Sequence, residues 1–287
     1  MEEYYFLFSL AFVYSLIASV QDLKTREVAN WVNFSFAAFA LVYRVFYALF
    51  FNDFKFFFLG LLGFGMFFAL ANAFYYTKVF AGGDAKLFMG FGAILPFSGY
   101  TDLIFFGAGF VFLLFTVGAA YSLAYSLFLV FNNLEKFKKE FSIKIKQKKL
   151  LFAWSAILAI LLLMESLIGG FNIFLWAIFS VFLFSFSLLY IYLKALEGSC
   201  LIKLVSPSKL TEGDWLEKDV RFGGRTIKKS VHGLSYDEIN ILKKAGKKVW
   251  VKYGIPFVPA FLIALIIMVF FSVVLKQDFQ NFLMSLF

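Results

Sequence analysis

Apolar runs of nearly membrane-spanning length recur along this 287-residue chain, and no water-soluble fold of that size can hide them all. A span needs about 20 consecutive apolar residues. Runs near 4–20, 31–51, 56–76, 85–98, 103–131, 150–168, 172–195 and 255–275 approach or meet that length. With 62% hydrophobic and 22% aromatic residues and a mean hydropathy of +0.84, the expected fold class is an all-α polytopic membrane protein. About eight transmembrane helices are expected. Glu2 and Glu3 stand where a cleavable signal peptide carries basic residues, and no small-residue cleavage site follows. The first run is therefore expected to remain as a transmembrane helix.

The net charge of +9 is concentrated in two places. Residues 133–149 hold seven Lys against two Glu, and residues 197–253 hold ten Lys and two Arg against seven acids. Charge confined to two inter-helix segments is a topogenic signal rather than a nucleic-acid footprint, and attraction to anionic membrane lipids follows as a side effect. With the N-terminus outside, the segments 21–30, 77–86, 132–149 and 196–254 face the cytoplasm and hold most of the Lys and Arg. The opposite side then shows only Lys55 and Lys276 against Glu2, Glu3, Asp53, Asp102, Glu165 and Asp278. The expected organisation is a five-helix core (1–131), a basic cytoplasmic loop (132–149), a transmembrane hairpin (150–195), a small cytoplasmic cap (196–254) and a C-terminal helix with its tail (255–287).

The cap has the marks of a small α+β insertion. Ser235-Tyr236-Asp237-Glu238 has capping-box spacing, and Leu234 and Ile239 are placed as a hydrophobic staple. The helix so begun is expected to stop at Gly246. Val249, Val251 and Tyr253 then suggest a short strand, and Lys203 to Phe222 read as strands and turns. Asp214 and Trp215 are expected to serve a turn and packing.

Two aspartates stand out against the apolar background. Asp22 opens Asp22-Leu23-Lys24-Thr25-Arg26-Glu27-Val28-Ala29-Asn30 directly after the first run, and Asp84 lies in Ala81-Gly82-Gly83-Asp84-Ala85-Lys86. A carboxylate at mid-helix in a membrane costs about 2.5–3.5 kcal/mol on insertion scales, so such a residue is a functional candidate by default. The bland alternative is that each caps a helix or decorates an interface. The run after Asp84 is short: Ala85 to Pro96 makes about 18 Å of helix against a hydrocarbon core of about 30 Å. Asp84 is thus expected below the cytoplasmic surface, with Gly82 and Gly83 allowing the chain to dip or turn there. Two nearby carboxyls cannot both ionise readily, so one keeps its proton. The ionised partner can then activate water while the protonated one polarises a scissile carbonyl. That chemistry is a paired-carboxylate hydrolase needing no metal and no organic cofactor. Cys200 is the sole cysteine and His232 the sole histidine, so neither a CxxC zinc site nor a Ser-His triad is expected.

The segment from Asp22 to Asn30, and Gly82-Gly83-Asp84-Ala85-Lys86-Leu87 running on through Met89-Gly90-Phe91-Gly92 to Pro96, resemble the type IV prepilin and preflagellin peptidases, membrane aspartic proteases of the GxGD type. The resemblance covers residues 5–100. It continues more loosely in Thr211–Leu216 and in Gly254-Ile255-Pro256-Phe257-Val258-Pro259-Ala260, which look like the C-terminal region of archaeal members. A strict GxGD pattern needs glycine at position 81, where this chain has Ala81. The resemblance implies that Asp22 and Asp84 are the catalytic pair near the cytoplasmic face of the cell membrane. It implies a short basic leader, cut from type IV pilin-like or archaellin precursors, as the substrate. Bacterial relatives often carry a CxxC-bearing domain and methylate the new N-terminus; with a single cysteine, that second activity is not expected here. Two rival readings exist. Presenilin and signal-peptide-peptidase types also use GxGD but carry Tyr-Asp and Pro-Ala-Leu motifs, where this chain has Gln21-Asp22 and Pro259-Ala260-Phe261. A transporter or scaffold with a cytoplasmic cap is the non-enzymatic alternative.

Around the pair, Gly82, Gly83 and Lys86 are candidate supporting residues, with Lys86 expected to snorkel to the headgroups or, in the sharper reading, to tune Asp84. Glu27 and Asn30 are candidates for binding a basic leader. Arg44, deep in its run, is expected to pack or snorkel far from the aspartates. Gly60, Gly63 and Gly65 are expected to let helices approach closely.

Overall fold

A computed structural model describes residues 2–168, 173–222, 225–230 and 233–274. His232, Lys276 and Asp278, weighed above, lie outside the described residues. Ten α-helices occur among those described: α1 (Glu2–Thr25), α2 (Asn30–Phe51), α3 (Phe54–Tyr76), α4 (Gly82–Ile94), α5 (Tyr100–Asn132), α6 (Leu134–Gln147), α7 (Lys149–Ile168), α8 (Ile173–Leu196), α9 (Tyr236–Ala245) and α10 (Val258–Val269). Each of the eight apolar runs is helical over most of its described length. Among the described residues, five helices are long and apolar enough to cross a membrane, within α1, α2, α3, α5 and α8; a sixth span results if α6 and α7, bent by 73° where they meet, count as one. The expected eight spans were counted from apolar runs, and α4 with 13 residues and α10 with 12 are short of bilayer length. The chain divides into two compact units, residues 1–124 with 256–287 and residues 125–255, the boundary falling within α5.

The first unit is a bundle of α1 to α4, most of α5, and α10. Its core is phenylalanine-rich: Phe36, Phe67, Phe88, Phe91, Phe110 and Phe261 are fully buried. Such rings fill the space between helices with few rotatable bonds, and edge-on or offset pairs such as Phe91 with Phe110 at 5.2 Å add contact energy beyond their area. Small residues set the closest approaches. A Cβ on Gly63 would strike the Gly92 carbonyl oxygen, and one on Gly90 would strike the Phe36 ring. Gly60 and Gly63 thus pack tightly as expected, whereas a Cβ on Gly65 would meet nothing within 4 Å.

Arg44 neither snorkels nor faces lipid. Its side chain is fully buried, and its guanidinium donates three hydrogen bonds to main-chain carbonyls: Nε to Ala93 at 2.6 Å, one terminal nitrogen to Phe56 at 2.6 Å and the other to Leu95 at 2.8 Å. It also lies over the rings of Phe56 at 4.4 Å and Tyr4 at 5.3 Å. The forked guanidinium suits this role, because a helix ends with carbonyls that have no partner within the helix. Arg44 of α2 therefore caps the C-terminal end of α4 and ties it to the start of α3. Tyr4 of α1 adds a hydroxyl bond to the Phe97 carbonyl at 3.1 Å.

The second unit contains the end of α5, α6 to α9 and five short strands. β1 (Ile202–Val205), β5 (Val249–Lys252) and β2 (Trp215–Leu216) form an antiparallel sheet in the order β1-β5-β2, with Val205 opposite Val249 and Leu216 opposite Val251. β3 (Val220–Phe222) and β4 (Arg225–Ile227) form a hairpin. The capping box is formed as read: the Glu238 N–H donates to Ser235 Oγ and the Ser235 N–H to Glu238 Oε2. Leu234 and Ile239 are buried together, and Gly246 takes a left-handed φ of 60°. Asp214 makes a turn, accepting from the Thr211 N–H at 2.9 Å. Lys194 and Lys252 flank Glu197 at 2.9 and 2.6 Å. Most of residues 132–149, the expected basic loop, are helical, α6 covering Leu134–Gln147. Their apolar positions at 134, 137, 141 and 145 follow helical spacing, and Phe137 packs on Tyr192 of α8. Cys200 is buried against Val130 and Leu196.

A methyl group at position 60 has no room, because it would fall on the Arg44 side chain. Gly60→Ala is therefore expected to destabilise the first unit by about 1–3 kcal/mol through overpacking, whereas Gly65→Ala leaves stability unchanged. Thermal unfolding of the two purified variants in detergent compares them directly.

Candidate active site

The sequence placed both aspartates in loops. In the structure each lies on a helix. α1 continues through the polar residues Gln21 to Thr25 and stops where Arg26 adopts a left-handed φ of 62° while its N–H still bonds the Asp22 carbonyl at 2.9 Å. Helix extension satisfies the main chain of this polar stretch, and Thr25 Oγ1 reinforces it by donating to the Gln21 carbonyl. Asp22 thus sits in the last turn of α1. Asp84 is the third residue of α4.

Each carboxylate accepts from a free N–H at a helix start. Asp22 is buried, and its Oδ2 accepts from the Val258 N–H at 2.9 Å, at the first residue of α10. The Phe257 N–H contributes as well. Asp84 is partly exposed and accepts from the Ala81 N–H at 3.3 Å, just ahead of its own helix. The positive ends of two helix dipoles therefore meet the two carboxylates. The pair also interact with each other, since the charge of Asp22 reaches Asp84. Residues 62 positions apart in the chain (from 22 to 84) are thereby brought into one electrostatic unit.

Lys86 does not simply reach for the headgroups. Its Nζ donates to Asn30 Oδ1 at 2.7 Å and lies 5.8 Å from the centroid of the Phe34 ring. Asn30 opens α2, so this bond joins the start of α2 to the first turn of α4. Glu27 is exposed in the α1–α2 connection. That connection is shaped by Gln21, whose Oε1 accepts from the Ala29 N–H at 3.0 Å.

Gly82 and Gly83 do not make the sharp dip that their pairing suggested. Neither takes a positive φ, and both belong to the first turn of α4. A Cβ on Gly83 would come to 3.4 Å from the Val28 main-chain nitrogen, so the α1–α2 connection passes close over this glycine. Asn33 is the residue that sequence reasoning missed. It is buried on α2, its Nδ2 donates to the Gly83 carbonyl at 3.4 Å, and its Oδ1 is buried without a hydrogen-bond partner. An amide on the inward face of an otherwise apolar helix was the available signal. Among the described residues, no group of three or more His, Cys, Asp or Glu side chains is placed to hold a metal ion.

Two buried or half-buried carboxyls within reach of each other's charge have the elements of an acid–base pair: one acceptor of a proton from water and one donor. The same geometry also makes each aspartate a helix cap.

Residues 9–134 match the sequence model of the type IV leader peptidase family. Two similar curated proteins are both called preflagellin peptidase. The one from Methanocaldococcus jannaschii is 37% identical over 81 residues, which is 28% of this chain and 34% of that protein. The one from Methanococcus maripaludis is 28% identical over 81 residues, 28% of this chain and 35% of that protein. The chain thus spans about a third of the length of these curated relatives. No solved structure matches. Asp22 and the Gly82-Gly83-Asp84 segment both lie inside the matched family region.

The capping role has a measurable consequence. Asp22→Asn keeps an oxygen acceptor for the Val258 N–H, and its unfolding temperature is expected to stay near that of the wild type. Asp22→Leu leaves the start of α10 uncapped and is expected to lose about 1–2 kcal/mol of stability. Thermal melts of both variants in detergent give the comparison.

Proposed function

We propose that this chain is a membrane aspartic endopeptidase that removes a short basic leader from prepilin- or preflagellin-like precursors, with Asp22 and Asp84 as its catalytic pair. The observation that carries the reading is that two aspartates on separate helices, Asp22 buried and Asp84 half-buried, lie within reach of each other's charge, in a region that matches the leader peptidase family. In this mechanism a water molecule lies between the carboxyls. The ionised one takes a proton from it as it attacks the scissile carbonyl, while the protonated one hydrogen-bonds the carbonyl oxygen and stabilises its developing charge. Proton return to the leaving amine completes the cut. The two titrations are coupled, so the apparent values of a pH profile belong to the pair.

Gly83 keeps the first turn of α4 slim beneath the α1–α2 connection, Gly82 lies beside the Tyr75 ring, and Lys86 braces the turn through Asn30. Glu27 and Asn30 lie on the rim where a basic leader would arrive. The hydrophobic segment that follows such a leader remains in lipid beside the enzyme, so its cytoplasmic end meets the aspartates. This requires an N-terminus outside the cell membrane and an active site at its cytoplasmic face, the orientation favoured by the positive-inside bias.

Incubation of the purified full chain with a panel of precursors, each a basic leader followed by a hydrophobic helix, tests the reading. Asp22→Asn and Asp84→Asn are each expected to abolish cleavage while expression and membrane insertion stay near normal. Full activity in either variant sinks the two-aspartate mechanism.

Orientation has its own test. Cys200 is too buried to report on sidedness, so the background is Cys200→Ser with one new thiol at an exposed site. In intact cells an impermeant maleimide is expected to label Lys55→Cys and to label Lys24→Cys only after the membrane is opened. The reverse pattern overturns the cytoplasmic placement.

A further inference from the structure

The sequence match to the leader peptidase family ends at residue 134, yet the nearest partner of the Asp22 carboxylate comes from residue 258. Asp22 Oδ2 receives the Val258 N–H at 2.9 Å, across 236 positions of sequence and in a buried setting. The Phe257 N–H adds to it. Pro259 follows directly and has no N–H, and the Ala260 N–H is already bonded to the Phe257 carbonyl at 2.9 Å. The first turn of α10 therefore has its free donors concentrated at Phe257 and Val258, and both serve Asp22.

An independent set of contacts joins the same turn to the segment carrying Asp84. Phe80, four residues before Asp84, packs against Phe257 at 5.7 Å and against Phe261 at 5.9 Å. Phe80 also meets Phe88 of α4 at 5.5 Å, and Phe88 meets Phe261 at 6.4 Å. Phe257 is held in turn by α5, since a Cβ on Gly118 would fall on its ring. One helical turn thus touches Asp22 through its main chain and the approach to Asp84 through its rings.

We propose that the first turn of α10, Phe257 to Phe261, is a positioning element of the carboxyl pair: its main-chain N–H groups orient Asp22 and its aromatic rings set the segment that bears Asp84. This rests on the assignment of the two aspartates as the catalytic pair. It extends the active site to a part of the chain that the family match does not cover. The consequence is that the donor to Asp22 is a backbone group, which conservative side-chain changes at 258 do not remove and proline does. Proline is suited to the first position of a helix, so Val258→Pro deletes the N–H at a site where its ring is tolerated.

The experiment compares kcat, KM and the pH–rate profile of the full chain on a cleavable precursor for Val258→Ala, Val258→Pro and Phe257→Ala. Val258→Ala trims a buried side chain but keeps the N–H, so the acid limb of its profile is expected to stay at the wild-type position. Val258→Pro loses a hydrogen bond to a charged acceptor, and a fall of roughly tenfold to a hundredfold in kcat is expected. The acid limb of its profile is expected to move to higher pH, because the ionised form of the pair has lost a donor. Wild-type kcat and an unmoved acid limb in Val258→Pro overturn the proposal. The residue before a proline disfavours the helical conformation that Phe257 adopts, so Val258→Pro can fail to insert. Phe257→Ala then decides: a lower kcat with a moved acid limb, partly restored by Phe257→Leu, supports the proposal. A lower kcat with an unmoved limb is mere loss of folded enzyme and overturns it. If the wild type cleaves no precursor, the reading of the site itself has failed; if it cleaves and the variants behave as wild type, only the role of α10 has.

Discussion

A helix too short to cross the bilayer must satisfy its terminal main-chain groups without the help of bulk water at both ends, and α4 is such a helix. Its 13 residues make about 20 Å of length. In hydrocarbon each unsatisfied N–H or carbonyl costs several kcal/mol. The solution at the C-terminal end is Arg44, whose buried guanidinium takes the carbonyls of Ala93 and Leu95 together with that of Phe56. At the N-terminal end Asp84 takes the Ala81 N–H, and Asn33 takes the Gly83 carbonyl. The candidate active site is thus one terminus of a helix whose other terminus is held by an arginine.

α10 repeats the pattern. Its 12 α-helical residues lead into a π-helical turn, and the N–H of its first residue is taken by Asp22. Each of the two aspartates therefore serves the start of one short helix, and bringing these two starts together brings the carboxyls together. Under the proposed function, stability and chemistry share the same contacts here. An isosteric amide preserves the cap and removes the acid, which separates the two roles experimentally. The tight glycines at 60, 63, 90 and 92 serve the same end by letting α3 and α2 press against α4 along its length.

The transmembrane character and the two aspartates were legible because each is a local signal: a run of apolar residues, and an acid where acids are expensive. The capping box at Ser235 and Glu238 and the stop at Gly246 were legible for the same reason, since a cap is decided within four residues. The failures have a common cause. Asp22 and Asp84 were assigned to loops because polarity was taken as the end of a helix, whereas α1 runs on to Thr25 and α4 begins at Gly82. Counting apolar runs as spans overlooked how far α4 and α10 are from bilayer length. In segment 132–149 the charge masks an apolar spacing that is helical, and α6 forms over Leu134–Gln147.

What the sequence determined by itself was the solvent in which the chain folds, the number of apolar segments and the identity of the two acids. These follow from composition and from spacing within one segment. Only the tertiary structure decided which groups meet. Arg44 with the end of α4, Asp22 with Val258, Asn33 with Gly83 and Lys86 with Asn30 pair residues 49 to 51, 236, 50 and 56 positions apart. No local pattern encodes such partners. They are selected because, away from water, each main-chain or charged group must find a partner on another helix, and packing alone determines which one is in reach.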